Sequence, residues 1–150
     1  MPVVGVAIAI PEPHRAKLSA ARHAAGDPMA AVIPPHVTLL PPTVIPGTDL
    51  DAFIDHLSSV ADSHLAFTMR LAGTGSFRPV SPVVFVQVSE GISSCERLER
   101  AIRSGPVERR LEFDYHPHVT IAHHVEDEAL DATARSTADF VAEFPVVGFD

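Results

Sequence analysis

The tetrapeptide Pro-His-Val-Thr occurs twice, at residues 35–38 and 117–120, followed by Leu39-Leu40 and by Ile121-Ala122. One copy would mean little. Two copies are informative because the elements around them also repeat. Val3 to Ile10 is a short apolar run rich in Val and Ile and bounded by prolines, which predicts a buried strand. Pro11 to Ala25 predicts a helix, with prolines at its start, Leu18, Ala21 and Ala25 on one face, and Gly26 to end it. His36 to Leu40, flanked by Pro34, Pro35, Pro41 and Pro42, predicts a strand with prolines at its ends. Thr48 is placed to cap a second helix, with Asp49 and Asp51 in its first turn and an apolar stripe of Leu50, Phe53, Ile54, Leu57 and Ala61.

A strand at Leu65 to Leu71 closes this first half, and the second half follows the same order from Val83 on. Leu65 to Leu71 and Val83 to Val88 predict strands, separated by a loop carrying Gly73, Gly75 and Phe77. Ser93 or Ser94 caps a helix to about Arg103. His118 to Ala122 predicts a strand, Glu126 to about Ala138 a weaker helix, and Phe144 to Phe149 a last strand. The order strand, helix, strand, helix, strand thus runs twice. It predicts a single α+β domain over 1–150, built from two related halves.

The spacing inside the motif carries the chemistry. Side chains alternate between the faces of a strand. His36 and Thr38 therefore share one face, while Val37 and Leu39 turn into the core; His118 and Thr120 stand in the same relation to Val119 and Ile121. If the two strands lie close together, two imidazoles and two hydroxyls line one cleft. That set suits displacement at a phosphodiester. Attacking water must lose a proton and the departing alkoxide must gain one, and histidine titrates near neutrality. Threonine hydroxyls can donate to the non-bridging oxygens where charge gathers. The scheme calls for no metal and no cofactor.

Composition narrows the partners. Eleven Lys and Arg against nineteen Asp and Glu give a net charge of −8. A protein that tracks long nucleic acid presents a basic stripe. Here the dense basic stretch of Arg97, Arg100, Arg103, Arg109 and Arg110 is interleaved with Glu96, Glu99 and Glu108. Long-duplex binding is therefore not expected, whereas a small anion or a nucleic-acid end remains compatible with a local pocket. The apolar N-terminal run lacks a basic leader and is too short to span a bilayer. One cysteine, Cys95, leaves no internal disulfide, and it reads as a core residue on a helical face with Ile92, Leu98 and Ile102. The expectation is a cytoplasmic monomer with no membrane attachment.

The paired His-x-Thr motifs resemble the two-histidine phosphoesterase superfamily, in particular its 2′-5′ RNA ligase and cyclic phosphodiesterase branch. Pro34-Pro35-His36-Val37-Thr38-Leu39 is similar to the first family motif. Tyr115-His116-Pro117-His118-Val119-Thr120-Ile121 is similar to the second, and Gly73 to Phe77 followed by Val83 to Val88 resembles the stretch between. The resemblance implies a bilobal duplicated α+β fold, with two antiparallel-type sheets around a central cleft and helices outside. It implies cleavage of 2′,3′-cyclic phosphates, or of related 2′,5′ or cyclic nucleotide bonds, in a small nucleotide or an RNA 3′-end. It gives His36 the role of proton donor to the leaving oxygen, His118 that of base for water, and Thr38 and Thr120 phosphate contacts. It also implies a last strand running past Asp150.

Other residues offer rival readings. A binding module using the same cleft without turnover is the alternative to an enzyme. Reversible 2′,5′ joining of RNA ends is the same chemistry run backwards, and no residue favours it. His116, His123 and His124 crowd the second motif, and regular alternation would put His118, Thr120 and His124 on one face. With no Cys partner and no helix-spaced His pair, they read as a polar rim rather than a metal site. Arg78 could reach a phosphate but reads as a solvated loop residue. Tyr115 could stack a base or pack. His14, His23, His56 and His64 read as surface residues.

Overall fold

The computed structural model describes residues 1–107 and 109–150; Glu108, one of the acids interleaved with the arginines, lies outside the described residues. The elements are β1 (Val3–Ala9), α1 (His14–Ala24), β2 (His36–Val44), α2 (Leu50–Asp62), β3 (Phe67–Ser76), β4 (Val83–Glu90), α3 (Ile92–Arg103), β5 (His118–His123), α4 (Asp127–Ser136) and β6 (Val141–Val146). The doubled order is present, but the sheets are unequal. β1 and β2 form an antiparallel pair, and β5-β4-β3-β6 form a four-stranded antiparallel sheet.

The two halves are interleaved rather than side by side. β3, the third strand of the first half, pairs with β4 of the second. Beyond β6 the chain crosses to the other sheet, where Asp150 and Ala7 exchange two backbone hydrogen bonds of 2.8 and 3.0 Å. The helices are exchanged as well: α3 packs against β2, and α1 against β5. β2 and β5 pack against one another. Each His-x-Thr strand is therefore backed by a helix from the opposite half. One hydrophobic cluster runs through both sheets, including Ile8, Val37, Leu39, Met69, Val86, Val119 and Ile121.

Several boundaries differ from expectation for identifiable reasons. β2 runs through Pro41 and Pro42 to Val44. Its sheet has two strands, so one edge needs no donors and tolerates proline. Thr48 does not cap α2; it lies in a 3-10 turn, Gly47–Asp49, and Asp49 takes the cap position. The buried face of α2 includes Phe53 and Val60, while Ile54 is exposed. Gly91, at φ +96°, precedes α3 in place of a serine cap. There a Cβ would approach the Phe67 ring and the Thr68 carbonyl to 3.1 Å. Leu65 is exposed ahead of β3, and β6 begins at Val141 rather than Phe144. Val3 is exposed too, because β1 belongs to a small sheet, whereas Ile10, just past the strand, is buried.

Gly73 and Gly75 lie inside β3, not in a loop. Gly73 has φ +85° in the irregular stretch between Leu71 and Thr74, where the register with β4 shifts. An extra residue at such a bulge needs backbone freedom that glycine has. Gly75 pairs with Phe85 of β4, and a Cβ there would sit 2.7 Å from the Phe85 ring. The glycine makes room for that ring to lie across the strand.

Candidate active site

Both motifs fold to the same local design. Pro35 and Pro117 are buried, His36 and His118 half-buried, Val37 and Val119 buried, Thr38 and Thr120 half-buried, and Leu39 and Ile121 buried. The alternation inferred from the sequence is thus present in both strands. Val37, Val119 and Ile121 are fully enclosed, which leaves the histidines and threonines on the opposite face of each strand.

The imidazoles are oriented by identical contacts. His36 Nδ1 donates to the Pro34 carbonyl at 2.9 Å, and His118 Nδ1 to the His116 carbonyl at 2.6 Å. A carbonyl only accepts, so Nδ1 carries the proton in each ring. Nε2 is then the free nitrogen, turned away from the backbone and available for proton transfer. Neither Thr38 nor Thr120 has its hydroxyl engaged with another described residue.

His118 is held below the ordinary imidazole pKa. Burial is the largest cause; the charges of His116 and His36 act in the same direction, and the hydrogen bond to the His116 carbonyl opposes them. His36 is near enough for its charge to act on His118. Phe77 and Phe85 form an apolar wall against His118. Their rings lie 4.4 Å apart, and both approach His118 steeply edge-on, at 4.9 and 5.2 Å between centroids. Gly75 matters to the site for this reason, since it lets Phe85 sit there.

Two further contacts fix β5 at its ends, and both join the halves. At its entry the Tyr115 hydroxyl donates to the Thr38 carbonyl at 2.8 Å. At its exit the His123 amide donates to Asp27 at 2.9 Å. Asp27 is itself buried against Arg22 in a 2.7 Å ion pair and accepts the Met29 amide at 2.8 Å. Burial alone would raise its pKa, but these donors outweigh burial and lower it. The Tyr115 hydroxyl is thus engaged, while its half-buried ring lines the cavity beside the motifs. It is tied into the backbone, and burial first, then the neighbouring Cys95, Glu99 and Glu96, raises its pKa.

A cavity of about 680 Å³ opens beside the motifs. Thr38, His118 and His116 line it, with Phe77 and Tyr115; His36 and Thr120 are not among its lining residues. The remaining candidates fall elsewhere. Arg78 pairs with Asp131 at 2.9 Å and with Asp127 at 3.6 Å, so its guanidinium braces α4 rather than facing the cavity. His124 does not share a face with His118: β5 ends at His123, and φ +60° at His124 breaks the alternation, stacking the two rings at 3.7 Å. Among the described residues no three His, Cys, Asp or Glu side chains converge to hold a metal ion. Cys95 is fully buried, and burial, followed by the nearby Glu96, pushes its thiol up to about 12. Leu98 and Ile102 are buried with it, while Ile92 is exposed.

Of the helical histidines, His23 is exposed as expected. His56 and His64 are half-buried and bond to the carbonyls of Ala101 and Val60 at 2.8 and 2.7 Å. His14 lies against Phe140 and Phe144, with its Nδ1 buried. Among the described residues no helix is long and apolar enough to cross a membrane.

The same fold is known in a solved protein. The crystal structure of TT0787 of Thermus thermophilus superposes with a TM-score of 0.67 at 24% identity, covering 99% of this chain and 86% of that one. Sequence relatives carry a functional name. A protein of Bacillus thuringiensis (strain Al Hakam), named "Putative phosphoesterase", is 31% identical over 125 residues, or 82% of this chain and 72% of its own length. A similarly named protein of Bacillus cytotoxicus is 32% identical over 101 residues, 67% of this chain and 58% of its own. The sequence profile of the 2′-5′ RNA ligase superfamily matches residues 10–150, which include both His-x-Thr strands. The chain belongs to the 2′-5′ RNA ligase superfamily of two-histidine phosphoesterases.

Proposed function

We propose that the protein hydrolyses a 2′,3′-cyclic phosphate, in a small nucleotide or at an RNA 3′-end, by two-histidine general acid and base catalysis. The carrying observation is the matched pair of imidazoles, each held through Nδ1 by the carbonyl two residues before it and each free at Nε2. A phosphoesterase family and relatives named as such support the reaction class.

The chemistry divides between the two rings. His118, neutral because its site disfavours charge, takes a proton from water at Nε2 while the water oxygen bonds to phosphorus. The bond from phosphorus to the 3′-oxygen breaks, and His36 in its protonated form delivers the Nε2 proton to that oxygen. The product is a 2′-phosphate with a free 3′-hydroxyl. The Pro34 carbonyl, accepting from Nδ1, fixes the orientation of the His36 ring for that role. Thr38 and Thr120 donate to the non-bridging oxygens as charge accumulates. Proton exchange with solvent then resets both rings.

The acidic net charge argues for a compact substrate rather than the body of a duplex. The test is turnover of a short oligonucleotide ending in a 2′,3′-cyclic phosphate, with EDTA present. His36→Ala and His118→Ala are assayed beside the wild type. A 2′-phosphate product from the wild type alone is expected. Turnover retained in both variants would remove the mechanism, and binding without product from the folded wild type would favour the non-catalytic binding module.

A further inference from the structure

The two motif copies match from the proline onward, but the residue before that proline differs. It is Pro34 in the first copy and His116 in the second. Both supply the same carbonyl, which accepts from the Nδ1 of the histidine two residues on. Pro34 does this with no polar side chain, so the imidazole of His116 is left over from the repeated design. It is exposed and lies 5.9 Å from the His118 ring between centroids, tilted from it by 37°. Phe77 and Phe85 meet it steeply edge-on at 5.6 and 5.2 Å, so the wall behind His118 also backs His116. Both imidazoles line the cavity of about 680 Å³. Among the described residues the His116 side chain has no hydrogen-bond partner and no carboxylate paired with it; only its carbonyl is engaged.

We infer that His116 is a third imidazole of the reaction site, which in its cationic form binds a non-bridging oxygen of the substrate phosphate. The inference rests on the phosphodiesterase reading and adds a binding residue that only the second motif copy carries. Other basic groups nearby are committed. Arg78 pairs with Asp131 and Asp127 of α4, and Arg109 donates to the Pro42 carbonyl at 3.3 Å. Arg109 and Arg110 share their stretch of cavity wall with Glu112 and Asp114, which offset them. His116 meets no such offset from its nearest neighbours, since Phe77 and Phe85 are uncharged and His118 is itself a base. Protonation gives an imidazole a second donor and a charge, at a pH near neutrality. Its hydrogen bond to a phosphate oxygen is then charge-assisted, and stronger than one from a threonine hydroxyl. The same charge serves the base: it acts on His118, with His36, in the sense that keeps that ring neutral. His116 thus draws the anion in and leaves the proton acceptor beside it unprotonated.

The test reads anion binding, so that it stands apart from turnover. Sulfate keeps one charge across the range in which imidazoles titrate. It is titrated by NMR into wild type, His116→Gln and His116→Lys at about pH 5.5 and about pH 8. All three retain the carbonyl that holds His118 Nδ1. Wild type is expected to bind about tenfold more tightly than His116→Gln at the lower pH, and equally at the higher. His116→Lys, charged at both, should bind tightly at both. Equal binding by wild type and His116→Gln at the lower pH, or His116→Lys no tighter than wild type at the higher, would overturn the assignment. In turnover of the cyclic-phosphate oligonucleotide, His116→Gln should raise KM at the lower pH. It should also move the acid limb of kcat/KM up toward 6.5, as the charge beside His118 is lost. KM and acid limb both unmoved would overturn it as well. The expected sulfate pattern with no turnover of any cyclic phosphate would overturn the phosphodiesterase reading and leave His116 as an anion contact. Turnover by the wild type without that pattern would do the reverse.

Discussion

The hydroxyl of Tyr115 donates to the main-chain carbonyl of Thr38 across the boundary between the two halves of the chain, at 2.8 Å. One partner precedes the second histidine motif and the other is the threonine of the first, so the bond ties one motif directly to the approach of the other. Substituting Tyr115→Phe removes the donor but keeps the ring. It leaves a half-buried carbonyl without its partner and should lower stability by about 1–2 kcal/mol. Because small displacements of reacting groups are costly, kcat should also fall by about tenfold, with KM little changed. Thermal unfolding and steady-state kinetics on one preparation check both; unaltered kcat in the variant would limit Tyr115 to packing.

The Arg22–Asp27 pair anchors the other end of the same strand. Their side chains are 8% and 0% exposed, and Asp27 also holds the His123 amide. Asp27→Ala strands a buried guanidinium and should cost about 3–5 kcal/mol. Replacing both by apolar residues of similar volume, Arg22→Met with Asp27→Leu, should recover much of that loss, since no charge is then left unpaired. Denaturant unfolding of the single and double variants makes the comparison.

Gly75 is a steric requirement of the histidine wall. A methyl group there would sit 2.7 Å from the Phe85 ring, which packs against His118. Gly75→Ala must displace that ring or the strand, with an expected destabilisation of about 1–3 kcal/mol. Activity should fall more than stability at assay temperature can explain. Gly73→Ala, strained by its φ of +85° but without contact to Phe85, serves as the comparison. Equal activity in both variants would contradict the role given to Phe85.

The pH dependence follows from His118. Burial first, then the charges of His116 and His36, hold its pKa below the ordinary 6.5. Its neutral form, the base, persists as pH falls below that value and is lost only through the lowered folded-state pKa. The acid limb of kcat/KM should therefore have its midpoint below 6.5. Stability moves with it. The unfolded chain takes up this proton first, so the fold loses stability as pH drops from 6.5 to the folded-state value, and no further below it. An acid limb centred above 6.5 in a pH–rate profile would contradict the account.

The motif strands were the legible part of this molecule. Alternation of His, Val, Thr and Leu over a few residues determines which side chains face a cleft, and the structure keeps that alternation at both copies. The element order was legible for the same reason, since each apolar run had its own period and its own proline or glycine boundary. What could not be read were relationships between distant residues. Nothing local to Asp27 marks it as an acceptor for His123, and nothing local to Tyr115 points to Thr38. Gly75 carried a signal, since glycine within a strand marks close approach of another group. Beside Gly73 and Phe77 it read instead as a loop. His124 was misplaced because alternation was carried one residue beyond the strand's end. The exchange of helices between halves was likewise invisible, because it depends on which helix covers which sheet.

The most direct test of the central claim is whether His36 and His118 act in one reaction. Single-turnover rates on a 2′,3′-cyclic phosphate oligonucleotide would be measured for wild type, His36→Ala, His118→Ala and the double variant. The account predicts a loss of about 10²–10⁴ for either single substitution, and little further loss in the double variant, as for groups that work as a unit. Losses that multiply in the double variant, or a single variant that turns over like the wild type, would contradict it.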